Sequence, residues 1–126
     1  MNRIIAVDFD GTVVTHEYPE VGADIPHAVR VLKRLNDVDV KIIVWTMRCG
    51  EYLEKDAANW FNERDIKVWA YNSNPEQSDW TESPKCYAQL YIDDAALGCP
   101  LIYPRAGRPY VDWLKAEKLL EEKGYL

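Results

Sequence analysis

Cysteine is scarce in this chain, and its scarcity excludes two kinds of small protein at once. Cys49, Cys86 and Cys99 are an odd set with no close pair, so neither a disulfide framework nor a Cys-x-x-Cys metal knuckle is indicated, and a reducing, cytoplasmic setting is the expectation. Positive charge is also short. Fifteen Lys and Arg stand against 21 Asp and Glu, for a net charge of −6. That balance argues against nucleic acid and anionic lipid, which require a surplus of Lys and Arg over a face. A small substrate fits it better. Long apolar runs are missing too: none approaches the roughly 20 residues that span a bilayer, so no membrane partner is expected. Met1-Asn2-Arg3 leads directly into Ile4–Val7 and two aspartates, without the apolar stretch and cleavage site of a secretory signal. The mature chain is therefore expected to begin at Met1. No internal repeat or low-complexity tract is found.

What is present is an ordinary globular composition: 126 residues, 48% hydrophobic and 29% charged. That length suits one domain, 1–126, burying roughly two-thirds of its unfolded surface, and is too short for two. Arg3 to Val7 is an apolar, β-branched run without polar alternation, the pattern of a strand buried on both faces. Ala28, Val31, Leu32 and Leu35 then fall at helical spacing within 26–36, with Asp24 and Pro26 supplying the start. Lys41 to Trp45 reads as a second buried strand, and Leu53, Ala57, Trp60 and Phe61 form one stripe of a helix over 51–63. Further strands are expected over 67–71, 89–92 and 100–103, and a last helix over 111–123. The polar stretch 72–84 is long for a structureless connection, so it is expected to be functional or partly helical. This alternation predicts an α/β chain with a mostly parallel central sheet, and ligands at the carboxyl ends of its strands.

Acidic side chains gather at those ends. Asp8 and Asp10 leave the first strand spaced by one residue, so extended backbone lets both face one pocket while Phe9 turns into the core. Gly11 permits a turn that brings backbone N–H groups toward an anion, with Thr12 beside it. Asp93-Asp94 follows Leu90-Tyr91-Ile92 at another carboxyl end; read alone, the pair could instead cap a helix beginning near Ala95. Carboxylates crowded at one sheet edge repel unless a cation sits among them. Oxygen ligands without a Cys or His cluster favour Mg²⁺ over zinc. Thr46 ends the second strand, where its hydroxyl could donate to a phosphate oxygen. Lys85 lies before the fourth strand, where an ammonium could neutralise the same group. Arg48 is a candidate anion contact two residues beyond Thr46. Arg105 and Arg108 sit in a Gly-Pro loop of unknown direction. Cys49, beside Arg48, is treated as a bystander.

Asp8-Phe9-Asp10-Gly11-Thr12, Thr46, Lys85 and Asp93-Asp94 resemble, in order and rough spacing, the four motifs of the haloacid dehalogenase superfamily of hydrolases. The first motif is highly specific, whereas Thr46 and Lys85 carry weight only in sequence with the others. The resemblance implies a Rossmann-like three-layer sandwich and a magnesium-dependent phosphomonoester hydrolase working through an aspartyl-phosphate. Carried over, Asp8 is the nucleophile and Asp10 the general acid and base. Thr46 and Lys85 hold the phosphoryl oxygens, with Gly11, Thr12 and Arg48 as further phosphate contacts. Asp8, the Asp10 backbone carbonyl and Asp93-Asp94 bind Mg²⁺, Asp94 directly and Asp93 directly or through water. Asp10 places the sequence with the family's phosphatases and mutases, since its dehalogenases lack that second aspartate.

The connections are too short for the inserted cap of many relatives, so a capless form is expected, with an open mouth. Covers for it are the segment 15–24 with His16, the loop bearing Trp80, or another subunit of a homo-oligomer. A small phosphorylated metabolite is the expected substrate; a phosphoprotein or nucleic-acid end, or an idle domain binding phosphate or a partner, are the alternatives.

Overall fold

A computed structural model describes residues 2–126. Strand β1 spans Ile4–Val7, helix α1 Ala28–Asp37, and strand β2 Lys41–Val44. A π-helical segment, Tyr52–Ala57, runs directly into α2, Ala58–Glu63, and is followed by β3, Ala70–Tyr71. After a single 3₁₀ turn at Gln77–Asp79 come β4, Leu90–Ile92, β5, Leu101–Ile102, β6, Tyr110–Val111, and α3, Trp113–Glu122. The four strands β1 to β4 form a sheet in the order β3-β2-β1-β4, and every pairing within it is parallel. The chain is thus α/β with a parallel sheet, consistent with a Rossmann-like fold. Among the described residues no helix is long and apolar enough to cross a membrane.

Strand periodicity decides which residues meet. Ile5, Val7, Ile42, Val44 and Ile92 point to one face and pack with α1 (Ala28, Val31, Leu32, Leu35), α2 (Trp60, Phe61) and α3 (Trp113, Ala116, Leu120). Full burial of each large aliphatic side chain contributes about 1.5–3 kcal/mol. Ile4, Ala6 and Ile43 point the other way, onto Trp45, Trp69, Cys86 and Ala88. Right-handed crossovers explain the division. The chain moves outward from β1 to β2 to β3, keeping α1 and α2 on one side, and then must cross β1 to reach β4, which carries that connection over the opposite face.

That connection corrects the expected three-layer sandwich. The second face is covered by coil and one 3₁₀ turn rather than by helices. Gln77 organises the coil: its amide nitrogen donates to the carbonyls of Ser83 (3.0 Å) and Lys85 (2.7 Å), and its amide oxygen accepts from the Tyr87 N–H (2.7 Å). Buried backbone groups are satisfied there without a helix.

Three smaller expectations also change. The fifth strand does not join the sheet; β5 pairs antiparallel with β6 in a separate ribbon. Asp24 does not start α1, because its carboxylate accepts from Trp60 Nε1 and twice from Arg64, each at 2.9 Å. Instead the helix follows His27 in the left-handed region at φ 70°. The stretch after Asp93-Asp94 is a pair of turns rather than a helix, which removes the helix-cap explanation for those carboxylates.

Candidate functional site

The strand order reverses between β1 and β4, so two neighbouring strands send their connections to opposite sides and leave a crevice at their carboxyl ends. Asp8 leaves β1 and Asp93-Asp94 leave β4 at this crevice, in register through the Val7–Ile92 pair and the Asp8 N–H bond to the Ile92 carbonyl (3.0 Å). Asp8, Asp10, Asp93 and Asp94 line an open cleft of about 480 Å³, together with Thr46, Arg48, His16, Tyr18, Met47 and Arg108. Phe9, between the two aspartates, is fully buried against Trp60 and Phe61. The alternation expected of extended backbone is what separates it from its neighbours.

Carboxylate oxygens of Asp8, Asp93 and Asp94 lie within 4.8 Å of one another. Burial pushes the Asp8 carboxyl up to about 8, reinforced by the Asp93 charge and the Asp94 hydrogen bond. Burial likewise raises Asp93, with Asp94 adding to the effect. Three oxygen-donor groups at this spacing fit a hard cation such as Mg²⁺, which takes carboxylate and water oxygens. Among the described residues no thiol or imidazole joins this group.

Thr12 and Gly11 build this cluster and do not present themselves to an anion, contrary to the expected phosphate contacts. Thr12 is fully buried. Its hydroxyl donates to Asp8 Oδ2 (2.9 Å) and accepts from the Asp94 N–H (3.1 Å), tying the two strand ends together. The Gly11 N–H is spent on the Val14 carbonyl at 2.7 Å. Gly11 has φ +85°, and a Cβ built on it would collide with the Asp94 carboxylate. Glycine is required here for the turn and for the close approach of Asp94.

Arg48 is the other departure. It was expected to meet a phosphate, but its side chain is sealed from solvent and makes four hydrogen bonds within the protein. Nε and one terminal nitrogen donate to both oxygens of Asp10, each at 2.8 Å. The Pro19 and Glu20 carbonyls accept two more bonds at 3.1 and 2.9 Å, and the guanidinium lies between the rings of Phe9 and Tyr18. The Asp10 hydrogen bonds raise the Arg48 pKa further. Asp10 therefore lines the cleft with its side chain held by Arg48, apart from the trio of Asp8, Asp93 and Asp94.

Thr46 stands where expected. It lines the cleft, and its hydroxyl accepts from the Arg48 N–H (3.1 Å). Lys85 does not join these residues. Its ammonium lies 5.9 Å from the centre of the Tyr91 ring, while its backbone carbonyl is fixed by Gln77. Among the expected covers, His16 and Tyr18 border the cleft, whereas Trp80 packs edge-on against Tyr87. Cys49 is exposed and lies outside the cleft lining.

Two supporting residues escaped sequence reasoning. Asn72, with φ 53°, accepts the Thr46 N–H (2.8 Å) and donates to the Arg48 carbonyl (3.1 Å), fixing the turn after β2. Its signal was an Asn directly after a strand, a residue that tolerates the left-handed region and bonds backbone locally. Trp113 donates from its indole nitrogen to the Thr12 carbonyl at 2.7 Å, a contact spanning most of the chain with no local signal.

The site thus defines an α/β chain with carboxylates gathered at a topological switch point. No protein-family model and no curated protein matches the chain. Among solved structures, it is similar to a conserved protein coded by a locus of Bacteroides thetaiotaomicron. The two share 36% sequence identity and a TM-score of 0.80, over 98% of this chain and 93% of that one. At that identity and coverage the chain belongs to the same family as that conserved protein.

Proposed function

We propose that the chain is a capless, haloacid dehalogenase-type phosphatase that hydrolyses small phosphomonoesters with Mg²⁺ through an aspartyl-phosphate on Asp8. The observation that carries this reading is the convergence of Asp8, Asp93 and Asp94 at one switch point, with ligand oxygens within 4.8 Å. Asp8 is at once a member of that cluster and a lining residue of the cleft, the position a nucleophile needs. The connections around the cleft are coil, and the one carrying His16 and Tyr18 borders it, which favours the capless form.

In this reading an Asp8 carboxylate oxygen attacks phosphorus, the bond to the leaving oxygen breaks, and that oxygen takes up a proton. Water then attacks the same phosphorus, releasing inorganic phosphate and restoring the Asp8 carboxylate. Mg²⁺, held by Asp8, Asp93 and Asp94, would supply charge neutralisation. The Thr46 hydroxyl donates to a phosphoryl oxygen. Asp10 is the acid and base at the leaving side. Arg48 fixes both of its oxygens at the cleft.

Asp8→Asn is expected to lower hydrolysis of an aryl phosphate by more than ~10³-fold, as removal of a nucleophile does, while circular dichroism is unchanged. Full activity in that variant sinks the assignment. A domain that binds phosphate without turnover is the second reading, favoured by the position of Lys85 outside the cleft lining. A phosphate-ester panel with and without Mg²⁺ separates the two.

A further inference from the structure

Two arginines line the cleft, and they stand in opposite states. Arg48 is buried, with its donors taken by Asp10 and two carbonyls. Arg108 is exposed, and among the described residues it enters no ion pair, although four aspartates line the same cleft. A guanidinium whose task was to balance the acidic cluster would be paired with it. Arg108 is instead left with its donors open to whatever enters.

Its place beside the site is built. The β5–β6 ribbon is fastened to the turn after Asp8, because the Val111 N–H donates to the Gly11 carbonyl (3.1 Å). The base of the ribbon is closed by the Asp112 N–H on the Pro100 carbonyl (2.9 Å). Gly107, at φ +88°, turns the loop, and Pro109 stiffens it on the other side of Arg108. Arg105, on the same loop, does not line the cleft.

Size and charge then constrain the ligand. A cleft of about 480 Å³ falls in the range that takes a whole small molecule rather than a phosphoryl group alone. Its floor is acidic, so an entering anion needs compensation on the side away from the carboxylates. We propose that Arg108 recognises a second anionic group on the leaving portion of the substrate, so that the preferred substrate is a small phosphomonoester also bearing a carboxylate or a second phosphate. The inference rests on the phosphatase reading and adds the substrate class to it.

The test compares 2-carboxyethyl phosphate and propane-1,3-diyl bisphosphate with propyl phosphate, which lacks a second anion, in the presence of Mg²⁺. Wild-type protein is expected to favour at least one of the first two by ~10-fold or more in kcat/KM, the worth of charge-assisted hydrogen bonds. The better of them identifies the anion. Arg108→Gln should collapse that ratio, and Arg105→Gln, which removes the same charge from the same loop, should preserve it. An unchanged ratio in Arg108→Gln overturns the inference; so does an equal loss on all three esters, which would place Arg108 on the transferring phosphoryl group. If wild-type protein hydrolyses none of them, the reaction itself has been misread, and calorimetry on the wild-type protein with Mg²⁺ decides the inference alone. Binding of 2-carboxyethyl phosphate or of the bisphosphate weakened ~10-fold by Arg108→Gln supports it. Binding of both that is unaltered, or absent from the start, overturns it.

Discussion

Asp8 and Asp10 are two residues apart on one turn, line one cleft, and sit in opposite electrostatic surroundings. Asp8 faces two further carboxylates, and its carboxyl is pushed up to about 8 by burial and by those neighbours. Asp10 is gripped by a buried arginine through two bonds of 2.8 Å. The difference teaches that an Asp-x-Asp spacing supplies two acids and assigns neither of them a state. The state comes from what the rest of the chain brings: the end of β4 delivers carboxylates to Asp8, and the turn after β2 delivers a cation to Asp10.

The sharpest way to break the contrast is to remove each partner in turn from the cation-free protein and compare stabilities. Arg48→Met leaves the Asp10 carboxylate uncompensated and strands the Pro19 and Glu20 carbonyls; a loss of about 3–5 kcal/mol is expected in urea unfolding. Asp8→Asn should act with the opposite sign, stabilising the cation-free protein at pH 7 by about 1–3 kcal/mol because the neutral amide can be buried there without first taking up a proton. Adding Mg²⁺ should then raise the Tm of wild type and not that of Asp8→Asn. Two destabilised variants would erase the contrast.

A pH series sharpens it further. The ordinary Asp8 value is 3.8 and the folded value about 8, so the folded state holds a proton that the unfolded chain gives up. That contribution is fully present below about pH 4 and fades as pH rises through about 8. Mg²⁺ displaces the same proton. Its thermal stabilisation should therefore grow between about pH 4 and 8 and level off above, read by differential scanning calorimetry. A stabilisation independent of pH would deny Asp8 a place among the ligands.

The smallest effect is far from the cleft and serves as its control. Arg30 and Arg34 on α1 hold Glu117 of α3 at 2.6 and 2.7 Å, and these bonds pull its carboxyl down to about 2 from 4.5. The stabilisation is present above about pH 4.5 and lost as pH falls toward 2. Because the arginines are largely exposed, Glu117→Gln should cost only about 1 kcal/mol. The loss should appear at pH 7, disappear near pH 2, and leave the Mg²⁺ response unaltered.

Much of this was legible in the sequence because periodicity is a local signal. β1, β2, β4 and the helices fell where β-branched runs and 3.6-residue stripes placed them, and Asp8, Asp93 and Asp94 met because parallel strands share a carboxyl edge. Less legible were features made by partners remote in sequence. Nothing near Arg48 announces that its fork will close on Asp10, 38 residues away. β6 is a two-residue strand, too short for a period to show. Beneath the sheet the stretch 72–84, rich in Asn, Ser and Pro, was expected to be functional or partly helical; it forms one 3₁₀ turn, and the backbone around it is satisfied through Gln77. Lys85 was placed by its distance along the chain, whereas its side chain was decided by the Tyr91 ring.

The bond from the Trp113 indole to the Thr12 carbonyl carries a consequence for biosynthesis. Residues near the start of the chain form the loop that holds Asp8, yet that loop is braced by groups made some hundred residues later. A growing polypeptide on the ribosome would display all the motif's acids without the brace that sets them. Ordering of the Asp8 loop would then wait for Trp113 of α3, some hundred residues further along the chain.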